Sequence, residues 1–170
     1  MEFQSCFDII GPIMVGPSSS HTAGVVSIGK FIHELLGDYP KEVKIVFYDS
    51  FAETYQGHGT DKALLGGLLG MDTDDSRIKN SLEWAKENGM QYEIDFESCC
   101  EYFDHPNTTI VTAKRGDCVV KVGGASLGGG LSKIFMIDDD MVSIRLSAGD
   151  DFSALASTYH PRKKVMDKAI

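Results

Sequence analysis

Two short polar segments place a histidine beside hydroxyl-bearing residues where a helix is expected to begin. The first reads Gly16-Pro17-Ser18-Ser19-Ser20-His21-Thr22, and the second reads Gly57-His58-Gly59-Thr60-Asp61. The N–H groups at a helix N-terminus lack partners within the helix and carry partial positive charge, so they attract carboxylates and phosphates. The hydroxyl groups that would surround such an anion belong to Ser18, Ser19, Ser20 and Thr22. Helix capping is the ordinary alternative role for these serines.

The second segment has the residue types for proton transfer. Glycines on both sides of His58 allow the backbone to approach a ligand closely. A helix N-terminus disfavours a positively charged ring, so we expect a neutral His58 that can accept a proton. Asp61 would either orient this histidine or cap the helix, and the sequence leaves both roles open.

Two further segments carry weaker signals. His105-Pro106-Asn107-Thr108 precedes a predicted strand and is either a turn or a substrate contact. The glycine-rich run 123–130 matches neither a dinucleotide fingerprint nor a P-loop, so we interpret it as a bulged turn or a contact surface for a partner. The cysteines lack the spacing of metal or cluster ligands, and no metal site is predicted in this chain; they are Cys6, Cys99, Cys100 and Cys118.

The composition excludes several classes of protein. The formal net charge of the 170 residues is −9, which argues against a nucleic-acid-binding protein because neutralising phosphates requires an excess of lysine and arginine. The N-terminus has no positively charged start, and the apolar runs are much shorter than the ~20 residues of a membrane span. We therefore expect a cytoplasmic protein with no membrane or nucleic-acid partner.

The hydrophobic pattern predicts the elements that must position these residues. Apolar residues at spacings of three and four predict a helix over 22–36 that Gly37 ends, while 50–59 is expected to be a loop. Further helices are expected over 62–69, 74–89 and 151–157. The predicted strands cover 43–48, 92–96, 108–114, 118–122, 131–137 and 141–146. This order indicates an α+β fold with a mixed or antiparallel sheet, helices on one face, a single compact domain over 1–140 and a short extension over 141–170.

Taken together, these segments resemble the β chain of bacterial two-subunit, iron–sulfur-dependent L-serine dehydratases. The resemblance extends from about residue 5 to about residue 138. The segments that carry it are 7–12, 16–22, 57–61, 105–108 and 128–130. It implies conversion of L-serine to pyruvate and ammonia, with a [4Fe–4S] cluster that three cysteines of a partner α chain hold. It also implies a relation to an amino-acid-binding regulatory domain.

The resemblance and the residue chemistry together indicate roles for the site residues. His58 and His21 are the candidates for the base that removes the α-proton, with His58 favoured, and Asp61 is the third catalytic candidate. The remaining candidates would contact L-serine, and they are Ser18, Ser19, Ser20, Thr22, Thr60, His105 and Asn107.

Other functions remain to be distinguished. A module that senses L-serine without catalysis would carry the same segments. A stand-alone serine hydrolase is disfavoured because the chain lacks a nucleophile-elbow sequence. Homodimerisation through a sheet face or edge is a further expectation. Many chains of this type continue into an ACT regulatory domain, and residues 141–170 are interpreted as the start of a truncated one.

Overall fold

Residues 12–159, which the computed structural model describes, form five α-helices and one six-stranded sheet. The helices are α1 (Gly24–Leu36), α2 (Asp49–His58), α3 (Thr60–Leu68), α4 (Ser81–Glu87) and α5 (Phe152–Ser157). A π-helical turn (Ser19–Ala23) precedes α1, and a 3-10 helix (Ser76–Asn80) precedes α4. The strands are β1 (Glu42–Tyr48), β2 (Gln91–Glu97), β3 (Thr108–Arg115), β4 (Cys118–Gly128), β5 (Leu131–Ile137) and β6 (Asp140–Leu146). Cys6, most of the segment 7–12 and the last residues of the predicted extension 141–170 lie outside the described residues.

The sheet is mixed, and its strands lie in the order β2-β1-β3-β4-β5-β6. β1 and β2 are parallel, whereas the other neighbouring strands are antiparallel. Alternate residues of β1, namely Val43, Ile45 and Phe47, are buried in the main core with the helices. On the opposite, helix-free face a smaller cluster includes Tyr48 and Cys100. The α+β prediction with a mixed sheet is confirmed.

Residues 49–58 form helix α2, so the prediction of a loop over 50–59 is wrong. The helix has a polar sequence, and Phe51 is its one buried residue. Too few apolar residues recur to give the periodic pattern from which a helix is predicted. The helix begins at Asp49, whose φ of 46° is unusual for a residue other than glycine.

The glycine-rich run belongs mostly to β4, which continues to Gly128, and then forms the turn into β5. Gly128, Gly129 and Gly130 all have positive φ, and the register shifts at Gly123/Gly124 and at Ser126/Gly128. This part of the chain therefore has the geometry of a bulged strand and turn. A Cβ atom at Gly124 would lie 2.9 Å from the Ile28 side chain, so the absence of a side chain lets α1 lie close to the sheet.

The last described residues continue the same sheet and core. β6 pairs with β5, and Phe152 and Ala156 of α5 are buried in the main core cluster. The division into 1–140 and 141–170, and the interpretation of 141–170 as a truncated ACT domain, stay predictions.

Helices α1 and α3 approach each other very closely at two glycines. A Cβ atom at Gly67 would lie 2.2 Å from the carbonyl oxygen of Val26, and one at Gly29 would lie 2.5 Å from that of Leu64. Both obstacles are backbone atoms, which cannot rotate away as a side chain can. The crossing therefore requires glycine on both helices.

The substitution Gly67→Ala tests this packing. Alanine favours an isolated helix by up to about 1 kcal/mol over glycine, yet here the added methyl group meets backbone. We expect the free energy of unfolding of the full chain to fall by about 1–3 kcal/mol, as in other overpacked cores. Urea unfolding measures the change.

Gly149→Ala is the matched control, because a Cβ atom at Gly149 would meet nothing within 4 Å. Equal stability of the Gly67→Ala and Gly149→Ala chains would contradict the proposed steric requirement.

Candidate functional site

The two histidine segments meet at one end of the sheet. The rings of His21, in the π-helical turn, and His58, the last residue of α2, have centroids 4.6 Å apart and an interplanar angle of 33°. The ring of Phe51 contacts His21 edge-on, with centroids 5.3 Å apart. The fold thus brings together the two candidate bases that the sequence placed on separate segments.

Serine hydroxyl groups contact both ring nitrogens of His21. Its Nδ1 lies 2.9 Å from Ser20 Oγ and its Nε2 lies 3.1 Å from Ser50 Oγ. The backbone N–H of His21 donates to Ser18 Oγ at 3.2 Å, so Ser18 caps the turn. Ser18 and Ser20 therefore position His21 as well as lining this end of the sheet.

Sequence reasoning missed Ser50. The sequence pattern predicts a loop here, whereas the structure places Ser50 in the first turn of α2, directly after β1. A polar residue that follows a buried strand is the one signal that could have identified it. Its neighbour Asp49 carries the positive φ that turns the chain from the strand into the helix.

The electrostatic environment of His21 favours its neutral form. Burial lowers the pKa of His21 from the ordinary value of 6.5, and the nearby His58 lowers this pKa further. Burial disfavours the charged ring because it removes water, and a second imidazole adds repulsion when it is protonated. Burial also lowers the pKa of His105, against the opposing influence of Asp104.

His58 is held by its Nδ1 atom alone. Nδ1 lies 3.3 Å from the carbonyl oxygen of Thr54, and since a carbonyl oxygen only accepts, Nδ1 must be the donor. In the neutral ring this leaves the lone pair on Nε2, which makes no hydrogen bond to any residue between 12 and 159. The segment that contains His58 lies at a helix start as predicted, since α3 begins at Thr60, while His58 itself is the last residue of α2 and Gly59 separates it from α3.

Four other predicted residues lie on the two histidine segments and differ in their contacts. The Thr22 hydroxyl donates to the carbonyl oxygen of His58 at 3.2 Å. Thr60 is fully buried, and its Oγ1 has no hydrogen-bond partner in the described part of the chain. Asp61 accepts the N–H of Lys62 at 2.8 Å and makes no hydrogen bond with His58 within residues 12–159. Ser19 contributes to the turn through its carbonyl oxygen, which accepts the N–H of Gly24.

His105 and Asn107 lie at the same end of the sheet, because β3 begins at Thr108 and runs antiparallel to β1. Their own contacts form a turn: His105 Nδ1 accepts the N–H of Asn107 at 3.2 Å, and the His105 carbonyl oxygen accepts the Thr108 hydroxyl at 2.7 Å. Neither residue is hydrogen-bonded to His21 or His58 among residues 12–159. A role for them as substrate contacts stays a prediction.

A cavity of about 260 Å³ opens beside His58. Its walls include Gly16, Thr22, Gln56, Lys62 and Lys79. A larger cavity of about 690 Å³ lies on the helix-free face of the sheet and contains no histidine. Size alone therefore does not mark the site, and of these two cavities the smaller is the one that His58 lines.

The described residues show neither a metal centre nor a membrane span. Between residues 12 and 159, no three His, Cys, Asp or Glu side chains are arranged to hold a metal ion. No helix in that range has the length and apolar character to cross a membrane.

Comparison with known proteins gives a consistent family assignment. Residues 5–133 match the family model for the serine dehydratase beta chain. The chain is 45% identical over 147 residues to the probable L-serine dehydratase, beta chain, of Bacillus subtilis, covering 86% of this chain and 65% of that protein. It is 38% identical over 163 residues to the L-serine dehydratase, beta chain, of Peptoniphilus asaccharolyticus, covering 95% and 71%. L-serine dehydratase 2 of Escherichia coli is 34% identical over 80% of this chain, which spans 34% of that protein.

The environment of His21 predicts how stability depends on pH. The pKa of His21 is lower in the folded chain than its ordinary value of 6.5. Between these two values the unfolded chain binds more protons than the folded chain. The free energy of unfolding therefore rises with pH in this window and falls on acidification. We expect the urea midpoint to fall less between about pH 7.5 and about pH 5.5 in His21→Asn than in the natural chain. The comparison of slopes is unaffected by a uniform loss of stability in the variant.

His105→Asn should reduce the pH dependence in the same direction, since burial also lowers the pKa of His105. An unchanged slope in both variants would show that these rings do not link stability to pH.

Proposed function

The chain belongs to the serine dehydratase beta-chain family, and we propose that it is the β subunit of an enzyme that converts L-serine to pyruvate and ammonia. The observation that carries the proposal is the contact between the His21 and His58 rings, which come from the two histidine segments of the sequence and lie beside a cavity that admits a small molecule. The chain spans 65% of its Bacillus subtilis relative, whose name as an L-serine dehydratase beta chain supports the same assignment.

The proposal includes a partner α chain that holds a [4Fe–4S] cluster. The described residues of this chain do not fit such a cluster, because no three of their His, Cys, Asp or Glu side chains are arranged to hold a metal. The adjacent cysteines also differ in burial, since Cys99 is exposed and Cys100 is buried. When bound, the cluster supplies a Lewis acid that assists departure of the substrate hydroxyl. The contribution of this chain is to bind the amino acid and to take up a proton.

We assign the proton acceptor to Nε2 of His58. The hydrogen bond from Nδ1 to the carbonyl oxygen of Thr54 selects the tautomer with a lone pair on Nε2. A histidine with a free lone pair can act as a general base when the proton lies within hydrogen-bond reach. His21 is the alternative base, but both of its ring nitrogens already contact serine hydroxyls, which suits a supporting ring better than a free acceptor.

The polar groups around the pair are assigned to the substrate. Ser19, Thr22 and Thr60 offer hydroxyl groups on the two segments that meet at the histidines. Ser18 and Ser20 act through His21, while His105 and Asn107 approach from the start of β3. Asp61 would influence His58 through its charge, since it makes no direct hydrogen bond to that ring within the described residues.

A module that only senses L-serine is the second candidate, and the dehydratase names of the relatives do not favour it. Homodimerisation and a cytoplasmic location remain part of the proposal. The two candidates differ in one measurable respect: a catalytic subunit is required for pyruvate formation, whereas a sensor binds L-serine and leaves the turnover of the α chain unchanged.

The test is pyruvate formation by the full chain combined with a cluster-bearing α chain. We expect activity only with both chains, and we expect His58→Ala to lower kcat by about 10²–10⁴, the usual contribution of a general base. His33→Gln is the control, because His33 lies on α1 and contacts the carbonyl oxygen of Leu68 outside the cavity.

Near-normal turnover by His58→Ala would overturn the base assignment. Equal pyruvate formation with and without this chain would overturn the proposed function as a whole.

A further inference from the structure

Two lysines line the cavity beside His58 and have no role in the proton transfer proposed above. Lys62 comes from the first turn of α3, and Lys79 comes from the 3-10 helix. Lys62 is half-buried, whereas Lys79 is exposed. The two lysines thus line one small space from elements that are separate in the sequence.

Neither lysine is neutralised by an acidic side chain in the described part of the chain. The ion pairs within residues 12–159 involve other cations, namely Lys30, Lys44, Arg77, Lys114 and Arg115. The adjacent Asp61 accepts the backbone N–H of Lys62 and forms no ion pair with its ammonium group. One cavity is thus lined by two lysines that form no ion pair with residues 12–159, in a chain whose net charge is −9.

The remaining walls leave room for a ligand. A Cβ atom at Gly57 or at Gly59 would meet nothing within 4 Å, so these glycines border open space on either side of His58. At about 260 Å³ the cavity is slightly smaller than the usual range of about 300–1,000 Å³ for ligand pockets, which suits a single small molecule. A small anion therefore matches the site in both size and charge.

We propose that Lys62 and Lys79 bind the carboxylate of the amino-acid substrate, with its Cα directed toward His58. The inference rests on the proposed function and goes further by assigning the counter-charge of the site. Hydroxyl groups donate hydrogen bonds to a carboxylate but cannot neutralise it, and Ser18 and Ser20 already contact His21. Two ammonium groups supply the missing charge, and hydrogen bonds between charged partners are about twice as strong as neutral ones.

Steady-state kinetics of the reconstituted enzyme with Lys62→Met and with Lys79→Met provide the test. Because a charged hydrogen bond contributes about 1.5–3 kcal/mol, we expect the KM for L-serine to rise about tenfold or more in each variant, while kcat changes less than about threefold. Lys86→Met is the matched control, since Lys86 is an exposed lysine of α4 outside this cavity. Lys62→Arg should retain most of the affinity because it preserves the charge.

Two competitive inhibitors separate carboxylate binding from a general effect of charge. A 2-hydroxy acid retains the carboxylate, and its inhibition constant should rise in Lys79→Met in parallel with the KM. The amino alcohol that lacks the carboxylate should bind equally to the natural enzyme and the variant. Lys79 is exposed, so this variant keeps the test available if Lys62→Met fails to fold.

The outcomes distinguish the inference from the proposed function. An unchanged KM in both lysine variants, together with loss of activity in His58→Ala, would overturn the carboxylate assignment and leave the β-subunit role intact. Equal weakening of both inhibitors would also overturn it. Pyruvate formation that does not require this chain would overturn the proposed function itself.

Discussion

The close crossing of α1 and α3 is the constraint on which the site depends. Gly29 lies eight residues after His21, and Gly67 lies nine residues after His58. Because the helices touch at these glycines and the histidines also touch, the two helices run in the same direction from a common end. Nearly equal numbers of residues therefore separate the crossing from each ring. A wider crossing would separate the histidines.

Hydroxyl groups then give the histidine pair its asymmetry. His21 contacts serine hydroxyls at both nitrogens and has a lowered pKa, whereas His58 is held at Nδ1 and its Nε2 makes no hydrogen bond among residues 12–159. Two chemically identical side chains thus acquire different environments through their neighbours. Burial, more than the partner ring, lowers the pKa of His21.

Much of the fold could be predicted from the sequence because its pattern is local. The apolar residues from Val25 to Leu36 recur at helical spacing, and those of β1 alternate, because one face of each element is buried. Such a pattern can be recognised within the segment itself, without knowledge of the rest of the fold. The α2 helix could not be predicted in this way, because Phe51 is its one buried residue and tertiary contacts at both ends stabilise it. The positive φ of Asp49 could not be predicted either, because the presence of an aspartate does not by itself indicate an unusual backbone conformation.

The site was predictable as a set of residue types and not as an arrangement. His21, His58 and the serine run carry recognisable chemistry, yet their meeting depends on the helix crossing, and the contact with Ser50 depends on an unpredicted helix. The lysines of the cavity gave no signal, since solvated surface lysines have the same appearance in a sequence.

The position of α2 has a further consequence for how the site can come apart. Its first turn supplies Ser50 to one edge of the His21 ring, and its last residue supplies the ring that contacts His21. Phe51 is its one buried residue, and low burial is a property of segments with low local stability. Because both contacts come from this one helix, unfolding of α2 would remove them together.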